Sequence, residues 1–344
     1  MPIGQIAFLG SGETSLAGGR IFEALARKIN EPLRIALMET PAGFELNSAQ
    51  VVGRVGEFMN TRLQNYKPVV DIIAARKKDS LYSPDDPEII KPLLHANMIF
   101  MGPGSPTYAV RQLKGTLAWD VIRARHRLGA TLVFASAATI SIGAHALPVY
   151  EIYKVGQDVH VVDGLDLFSD FGLHISFIPH WNNTDGGADL DTSRCFVGMD
   201  RFAEWCDLLP SENETVGLDE HTGIILDFET ALCEVSGVSS VSLVRDCVHE
   251  MHASGAKFPL SELGEFQVPE PLEKDIPSDV WTMVLNAPVL EEDSPSDKVI
   301  ALAEERVSAR VNKNWAESDK LRDAITALGW TVQDSKDGYK LVKS

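Results

Sequence analysis

The first 140 residues contain five short apolar runs, and these constrain the chain more than any other feature. They lie at residues 6–9, 33–38, 69–74, 98–101 and 131–134, each of strand length and mostly Ile, Val, Leu, Phe, Met or Ala. Helical stretches separate them, at about residues 19–29, 48–63 and 87–94, and in a further helix reaching about residue 127. Near-continuous apolar strands alternating with helices imply a parallel sheet covered on both faces. Gly10-Ser11-Gly12-Glu13-Thr14, Glu39-Thr40-Pro41-Ala42-Gly43 and Gly102-Pro103-Gly104-Ser105-Pro106 each follow a strand. In doubly wound α/β folds that edge is where ligands bind. The expected class is therefore α/β, with a doubly wound, mostly parallel sheet and helices on both faces.

From about residue 217 the pattern shifts to short antiparallel strands and turns. Residues 262–295 then carry nine acids and one base, Lys274, broken by five prolines. That composition reads as an extended linker, although Trp281-Thr282-Met283-Val284-Leu285 forms an apolar island placed to pack back on a domain. After Pro295 a compact module is expected. Ile300, Ala303, Val307 and Val311 follow helical spacing. Asn314 is a good N-cap, with Glu317 three residues on, and Leu321, Ala324, Ile325 and Leu328 mark the inner face of the second helix. Two strands, 330–332 and 339–342, pair around Asp337-Gly338. The expected division is a large α/β domain over 1–258, a linker over 259–295 and a small helical-hairpin module over 296–344.

The formal net charge of −18 argues against broad binding to a phosphate backbone. The charge is unevenly spread. From Ser296 on there are nine Lys/Arg against eight Asp/Glu, net +1, and the rest carries 22 against 41, net −19. Apolar runs are far short of a membrane span, and Met1-Pro2-Ile3-Gly4-Gln5 lacks the basic start of a signal peptide. Cys195, Cys206, Cys233 and Cys247 contain no C-x-x-C pair, so they suggest neither zinc nor a disulfide framework. The expectation is a cytoplasmic protein with reduced thiols and no membrane association. Gly10-Ser11-Gly12 does not complete G-x-G-x-x-G, because position 15 is Ser15, so no nucleotide cofactor is expected.

The chemistry concentrates in Val133-Phe134-Ala135-Ser136-Ala137-Ala138-Thr139. A strand delivering a serine to a tight strand-to-helix turn exposes a nucleophilic hydroxyl and the next backbone N–H. Phe134 and Ala138 occupy the two glycine positions of the usual G-x-S-x-G elbow, and Ala138 fits only if its φ stays negative. A serine nucleophile needs a base and an acid. His180, in Pro179-His180-Trp181-Asn182-Asn183 after an apolar strand, is the best-placed base; His221 and His145 are further candidates, and His174 reads as structural. Glu151, amid Val149, Tyr150 and Ile152, is a candidate acid, or else an ion-pair partner of Lys154. Ala137 supplies one oxyanion donor by position, and Gly104 or Ser105 a second, because Pro103 and Pro106 cannot donate.

These pieces resemble the peptidase E and cyanophycinase family of serine peptidases, whose fold is similar to that of class I glutamine amidotransferases. The likeness covers residues 1 to about 250 and rests on Gly10-Ser11-Gly12-Glu13, the Gly102 to Thr107 loop, Ser136-Ala137, the Pro179 to Asn183 turn and Gly217-Leu218-Asp219-Glu220-His221-Thr222. It implies Ser136 as nucleophile, His180 as base and Glu151 as third member. It further implies hydrolysis of small peptides at aspartyl residues without metal or cofactor. The 102–107 loop carries an extra proline relative to the family. The tail, 302–341, resembles the C-terminal domain of cysteinyl-tRNA synthetases through Arg306, Ala309-Arg310, Lys313 to Asp323, Leu328-Gly329-Trp330 and Asp334. That likeness implies docking on tRNA or a protein partner. A catalytically silent binding protein of the same fold is the alternative expectation, and an oligomer is compatible with either.

Overall fold

The computed structural model describes residues 3–30, 32–245, 248–288, 295–335 and 338–343. They form two compact units, Met1–Leu285 and Asn286–Ser344. Five parallel strands build the centre of the first: β1 (Ile6–Leu9), β2 (Arg34–Met38), β3 (Val69–Ile73), β4 (Met98–Met101) and β5 (Thr131–Ala135). All five expected strands are present. The structure adds small elements, the pair β6 (His145–Ala146) and β7 (Val162–Asp163).

The remaining strands are β8 (Ile175–Ile178), β9 (Glu214–Leu218), β10 (Thr222–Asp227), β11 (Leu232–Gly237), β12 (Ser240–Arg245), β13 (Val248–Ala253) and β14 (Lys257–Pro259). An eight-stranded sheet runs β14-β11-β10-β1-β5-β4-β2-β3, with β10, β11 and β14 antiparallel. A second, four-stranded sheet runs β13-β12-β9-β8. The sheet is thus mostly parallel, as expected. The strand leading to His180 belongs to the second sheet, not to that of Ser136.

Side-chain alternation along the strands creates two cores. Ala7, Leu9, Ile35, Leu37, Phe100, Val133 and Ala135 point to one face. They are covered by Ile21, Phe22 and Leu25 of α1 (Leu16–Ala26) and Val52, Val55 and Met59 of α2 (Ser48–Arg62). Helix α1 starts three residues earlier than expected because Ser15 caps it, accepting from the Gly18 N–H. Ile6, Phe8, Met38, Met101, Leu132 and Phe134 face the other way. Their core includes α3 (Pro87–Ile90), α4 (Pro106–Leu113), α5 (Leu117–Arg127), α6 (Ala137–Ser141), α7 (Val149–Tyr153) and α8 (Met199–Asp207). The second sheet joins this same core, with Phe177 of β8 stacked on Phe8 at 4.0 Å. That stacking brings the ends of β5 and β8 together.

The linker expectation over 259–295 needs correction. Residues 260–263 form a 3-10 turn with Leu260 and Leu263 buried. The apolar island becomes α9 (Ser278–Leu285), packed on α5 with Val280 and Val284 buried. Arg127, 1% exposed, donates to the carbonyls of Leu272 and Lys274 and pairs with Asp170 at 3.0 Å. A buried guanidinium and a few apolar side chains therefore fold an acidic, proline-rich stretch onto the first unit. Glu291, Glu292 and Asp293 lie outside the described residues.

The second unit holds α10 (Asp297–Val311), α11 (Trp315–Ala327), β15 (Trp330–Ser335) and β16 (Gly338–Lys343). Asn314 caps α11 as expected, accepting from the Glu317 N–H at 3.3 Å. Asp337 of the expected turn lies outside the described residues. The inner stripe of α10 is Val299, Ala303, Arg306 and Ala309, not Ile300, Ala303, Val307 and Val311; Val311 is exposed, and so is Leu328, just past the end of α11. Arg306 explains the shift. It is 2% exposed and grips Asp334 through two bonds, 2.8 and 3.0 Å, with Arg310 on the same carboxylate at 3.2 Å. A charge aimed inward at a strand carboxylate takes a place on the inner stripe, where only Ala303 of the expected residues remains. Among the described residues, no helix is long and apolar enough to cross a membrane.

Candidate active site

Ser136 sits between β5 and α6 at φ 52°, ψ −119°. A side chain forced to positive φ stores strain of about 1–3 kcal/mol. Here the turn lifts the hydroxyl out of the strand direction. The two missing glycines are accommodated. Phe134 is an ordinary residue of β5 in the core, and neither Phe134 nor Ala138 has positive φ. Ala138, fully buried, donates its N–H to the Gly102 carbonyl at 3.2 Å. Within the elbow, 134–138, only Ser136 has positive φ.

His180 follows β8 and also has positive φ, 49°. Its N–H donates to the Gly10 carbonyl at 3.2 Å, and its carbonyl accepts from Asn183 and Cys195. Ser136 Oγ lies 3.0 Å from His180 Nε2. On the other side of the ring, Nδ1 lies 3.0 Å from Glu220 Oε1. A carboxylate only accepts, so Nδ1 carries the hydrogen and Nε2 is left to accept the serine hydroxyl.

Glu220 belongs to the β9–β10 turn, and three neighbours fix it. Its N–H donates to Asn182 Oδ1 at 2.8 Å, and its Oε1 accepts from Asn183 Nδ2 at 2.9 Å. Next to it, buried Asp219 accepts from the Ser239 and Ser240 hydroxyls at 2.6 and 2.7 Å, locking the turn. Burial by itself raises the Glu220 carboxyl, but the hydrogen bonds from Asn183 and His180 outweigh it and hold the group below the usual carboxylate range. The Glu220 carboxylate is thus favoured in its ionised form and held in a fixed orientation.

Glu151, the acid expected from sequence, is placed elsewhere. On α7 its Oε1 accepts from Thr107 Oγ1 at 2.6 Å, and its Oε2 is buried without a hydrogen-bond partner. The alternative pairing with Lys154 is not seen either; that ammonium lies over the Tyr150 ring at 4.9 Å. The structure brings Ser136 and His180 together and puts Glu220, not Glu151, on the histidine. A carboxylate beside a histidine in a turn at the strand edge, Asp219-Glu220-His221, was the available signal.

His221, His145 and His174 are not part of this relay. His221 is exposed, and its backbone N–H donates to Ser11 Oγ at 3.0 Å. His145 and His174 both act on the carboxyl of Asp166, which burial raises and their charge lowers. The Gly10 and Gly12 spacing, considered for a nucleotide, serves the site instead. A Cβ on Gly10 would come within 2.2 Å of the Asp219 carbonyl, and one on Gly12 within 2.2 Å of His221 Nδ1. Glycine here admits the Glu220 turn.

Of the two loop donors left open, Ser105 N–H is spent on the Pro41 carbonyl at 2.9 Å. Gly104, at φ +145°, packs so tightly on Pro41 that a Cβ would lie 1.9 Å from its carbonyl oxygen. Pro106 is the first residue of α4, where its missing N–H costs nothing, and Ser105 caps that helix. Neither Ala137 nor Gly104 has a backbone acceptor for its N–H among the described residues. Burial pushes the Cys195 thiol up, and the Cys233 thiol up to about 12, so neither supplies a thiolate. Cys195 and Cys233 are free thiols; Cys247 lies outside the described residues.

No protein-family model matches the chain. A solved peptidase from an acI-B1 Actinobacterium has the same fold, with a TM-score of 0.60, 19% identity, and coverage of 75% of this chain and 97% of that one. A putative peptidase E from Listeria monocytogenes aligns at TM-score 0.42 and 14% identity, covering 73% and 98%. Among curated proteins, the cysteine–tRNA ligase of Phocaeicola vulgatus is 48% identical over 48 residues, 14% of this chain and 10% of the ligase. That of Chlamydia pneumoniae is 33% identical over 125 residues, 36% and 25% respectively. The chain thus spans a quarter or less of the curated relatives named here, which match its C-terminal region. Its larger part shares a fold with the acI-B1 Actinobacterium peptidase, and its tail is similar to a segment of cysteine–tRNA ligases.

Proposed function

We propose that the protein is a serine hydrolase acting on small aspartyl-containing peptides through Ser136, His180 and Glu220. The single observation that carries this reading is the relay from Ser136 Oγ through the His180 ring to Glu220 Oε1, with both contacts at 3.0 Å. In the proposed reaction, Ser136 Oγ attacks the acyl carbonyl while His180 Nε2 takes its proton. Glu220 steadies the resulting imidazolium. The N–H groups of Ala137 and Gly104 receive the oxyanion. His180 then protonates the departing amine, and water hydrolyses the acyl-serine with His180 again as base. The substrate class comes with the family likeness. Its test is a panel of dipeptides and longer peptides with aspartate at either side of the scissile bond. Release of amine by the wild-type protein, lost in Ser136→Ala, is expected. Folded protein that hydrolyses none of them contradicts the peptide assignment.

We further propose that the second unit docks on tRNA. Trp315 is 58% exposed with the Arg310 guanidinium over its ring at 5.8 Å, a surface on which a base can stack. Retention of labelled tRNA by the full chain, lost on deletion of residues 296–344 and weakened by Trp315→Ala, is the expected result. Equal retention by all three proteins contradicts it.

A further inference from the structure

Away from Ser136, the end of β13 and the 3-10 turn 260–263 bring three side chains together: Glu250, His252 and Glu262. Glu250 and His252 alternate along β13, so they share one face of the strand. Glu262 arrives from the turn that follows β14. The Nε2 of His252 and one carboxylate oxygen of each glutamate all lie within 4.8 Å of one another. The imidazole is fixed in place, stacked on Phe258 at 3.9 Å.

A plain ion pair explains this cluster poorly. His252 Nε2 and Glu262 Oε2 are 3.4 Å apart, and both atoms are buried without a hydrogen-bond partner. A charged N–H···O bond closes to about 2.7–2.9 Å. Two desolvated, unpaired polar atoms facing each other are costly. The 3.4 Å separation has a different meaning. Zinc bonds to nitrogen and oxygen of about 2.0–2.2 Å place two tetrahedral ligands about 3.3–3.6 Å apart. Glu250 Oε1 lies 4.0 Å from the same nitrogen, and its side chain, 62% exposed, is free to close the remaining gap.

We propose that Glu250, His252 and Glu262 form a binding site for a divalent transition cation of the zinc type. One imidazole and two carboxylates suit such an ion, with water completing the shell. The site is structural. β13 is the edge of the four-stranded sheet and β14 the edge of the eight-stranded one, so a bound cation clamps the two sheets at their borders. The cation is no part of the Ser136 chemistry, so this proposal stands or falls independently of the hydrolase reading.

The test uses full-length protein stripped with chelator and titrated with Zn2+ against a chromophoric competitor, with thermal unfolding followed in parallel. One Zn2+ per chain and a rise in melting temperature on adding Zn2+ are expected. Both are lost in His252→Ala, and binding is weakened in the isosteric Glu262→Gln. If His252→Ala does not fold by circular dichroism, Glu262→Gln decides alone. Absence of stoichiometric binding by the wild type, or binding unchanged in the folded variants, overturns the site.

Discussion

The turn carrying Glu220 and the short helix carrying Glu151 hold the same side chain in different circumstances. Glu220 shares one oxygen between the His180 ring and Asn183, at 3.0 and 2.9 Å, and its backbone is tied to Asn182. Glu151 meets a neutral hydroxyl, Thr107, and keeps its second oxygen buried and unpartnered. Only the first arrangement stabilises a histidine that gains a proton during reaction. A glutamate in an apolar setting after the nucleophile is therefore a poor guide to the acid of such a site. What distinguishes Glu220 from Glu151 is how many fixed donors converge on it.

The largest expected effect comes from removing the group both carboxylates were considered to serve. Ser136→Ala, or His180→Ala, should lower kcat for peptide hydrolysis by at least about 10³-fold while the fold survives by circular dichroism. A smaller residual loss would mean that another group is the nucleophile. The comparison itself is broken or sharpened by the two glutamines. Glu220→Gln should cost about 10²–10⁴-fold in kcat, since the amide cannot stabilise the imidazolium and can favour the wrong tautomer. Glu151→Gln should cost less than about tenfold, because the Thr107 contact lies outside the relay. The reverse order, measured by steady-state kinetics, would return the role to Glu151.

The smallest effect is a pH dependence of stability. The folded Glu220 carboxyl titrates below its ordinary value. Its stabilisation is therefore fully present above about pH 4.3, the unfolded value, and is lost as pH falls through the folded one. Denaturant midpoints of wild type and Glu220→Gln should differ at neutral pH and converge under acid. A gap that widens toward low pH contradicts the account.

Much of this was legible in the sequence for a physical reason. Buried parallel strands must be apolar along their whole length, so Ile6–Leu9, Met98–Met101 and Ile175–Ile178 stand out with their boundaries. A serine or histidine directly after such a strand is pinned to one edge of the fold. Glu220 was harder to find because it sits 40 residues beyond His180 in the turn that crosses from one sheet to the other, where local pattern does not reveal what faces it. Residues 260–285 misled for another reason. Acid and proline content describe a solvated surface, whereas the carbonyl contacts of Arg127 and the buried Val280 and Val284 fix the path of the chain. In α10 the helix itself was legible but its inner face was not: buried Arg306 claimed an inner position that periodicity assigns to aliphatic side chains, and of the expected stripe only Ala303 is buried.

The central claim is that Ser136 is an activated nucleophile, and a fluorophosphonate probe tests it most directly. The probe needs no knowledge of the substrate. Intact mass and peptide mapping should show one adduct, on Ser136, that forms at least about tenfold more slowly in Glu220→Gln and not at all in His180→Ala. Folded wild-type protein that stays unlabelled beside a reactive control hydrolase, or labelling that persists in His180→Ala, contradicts the account.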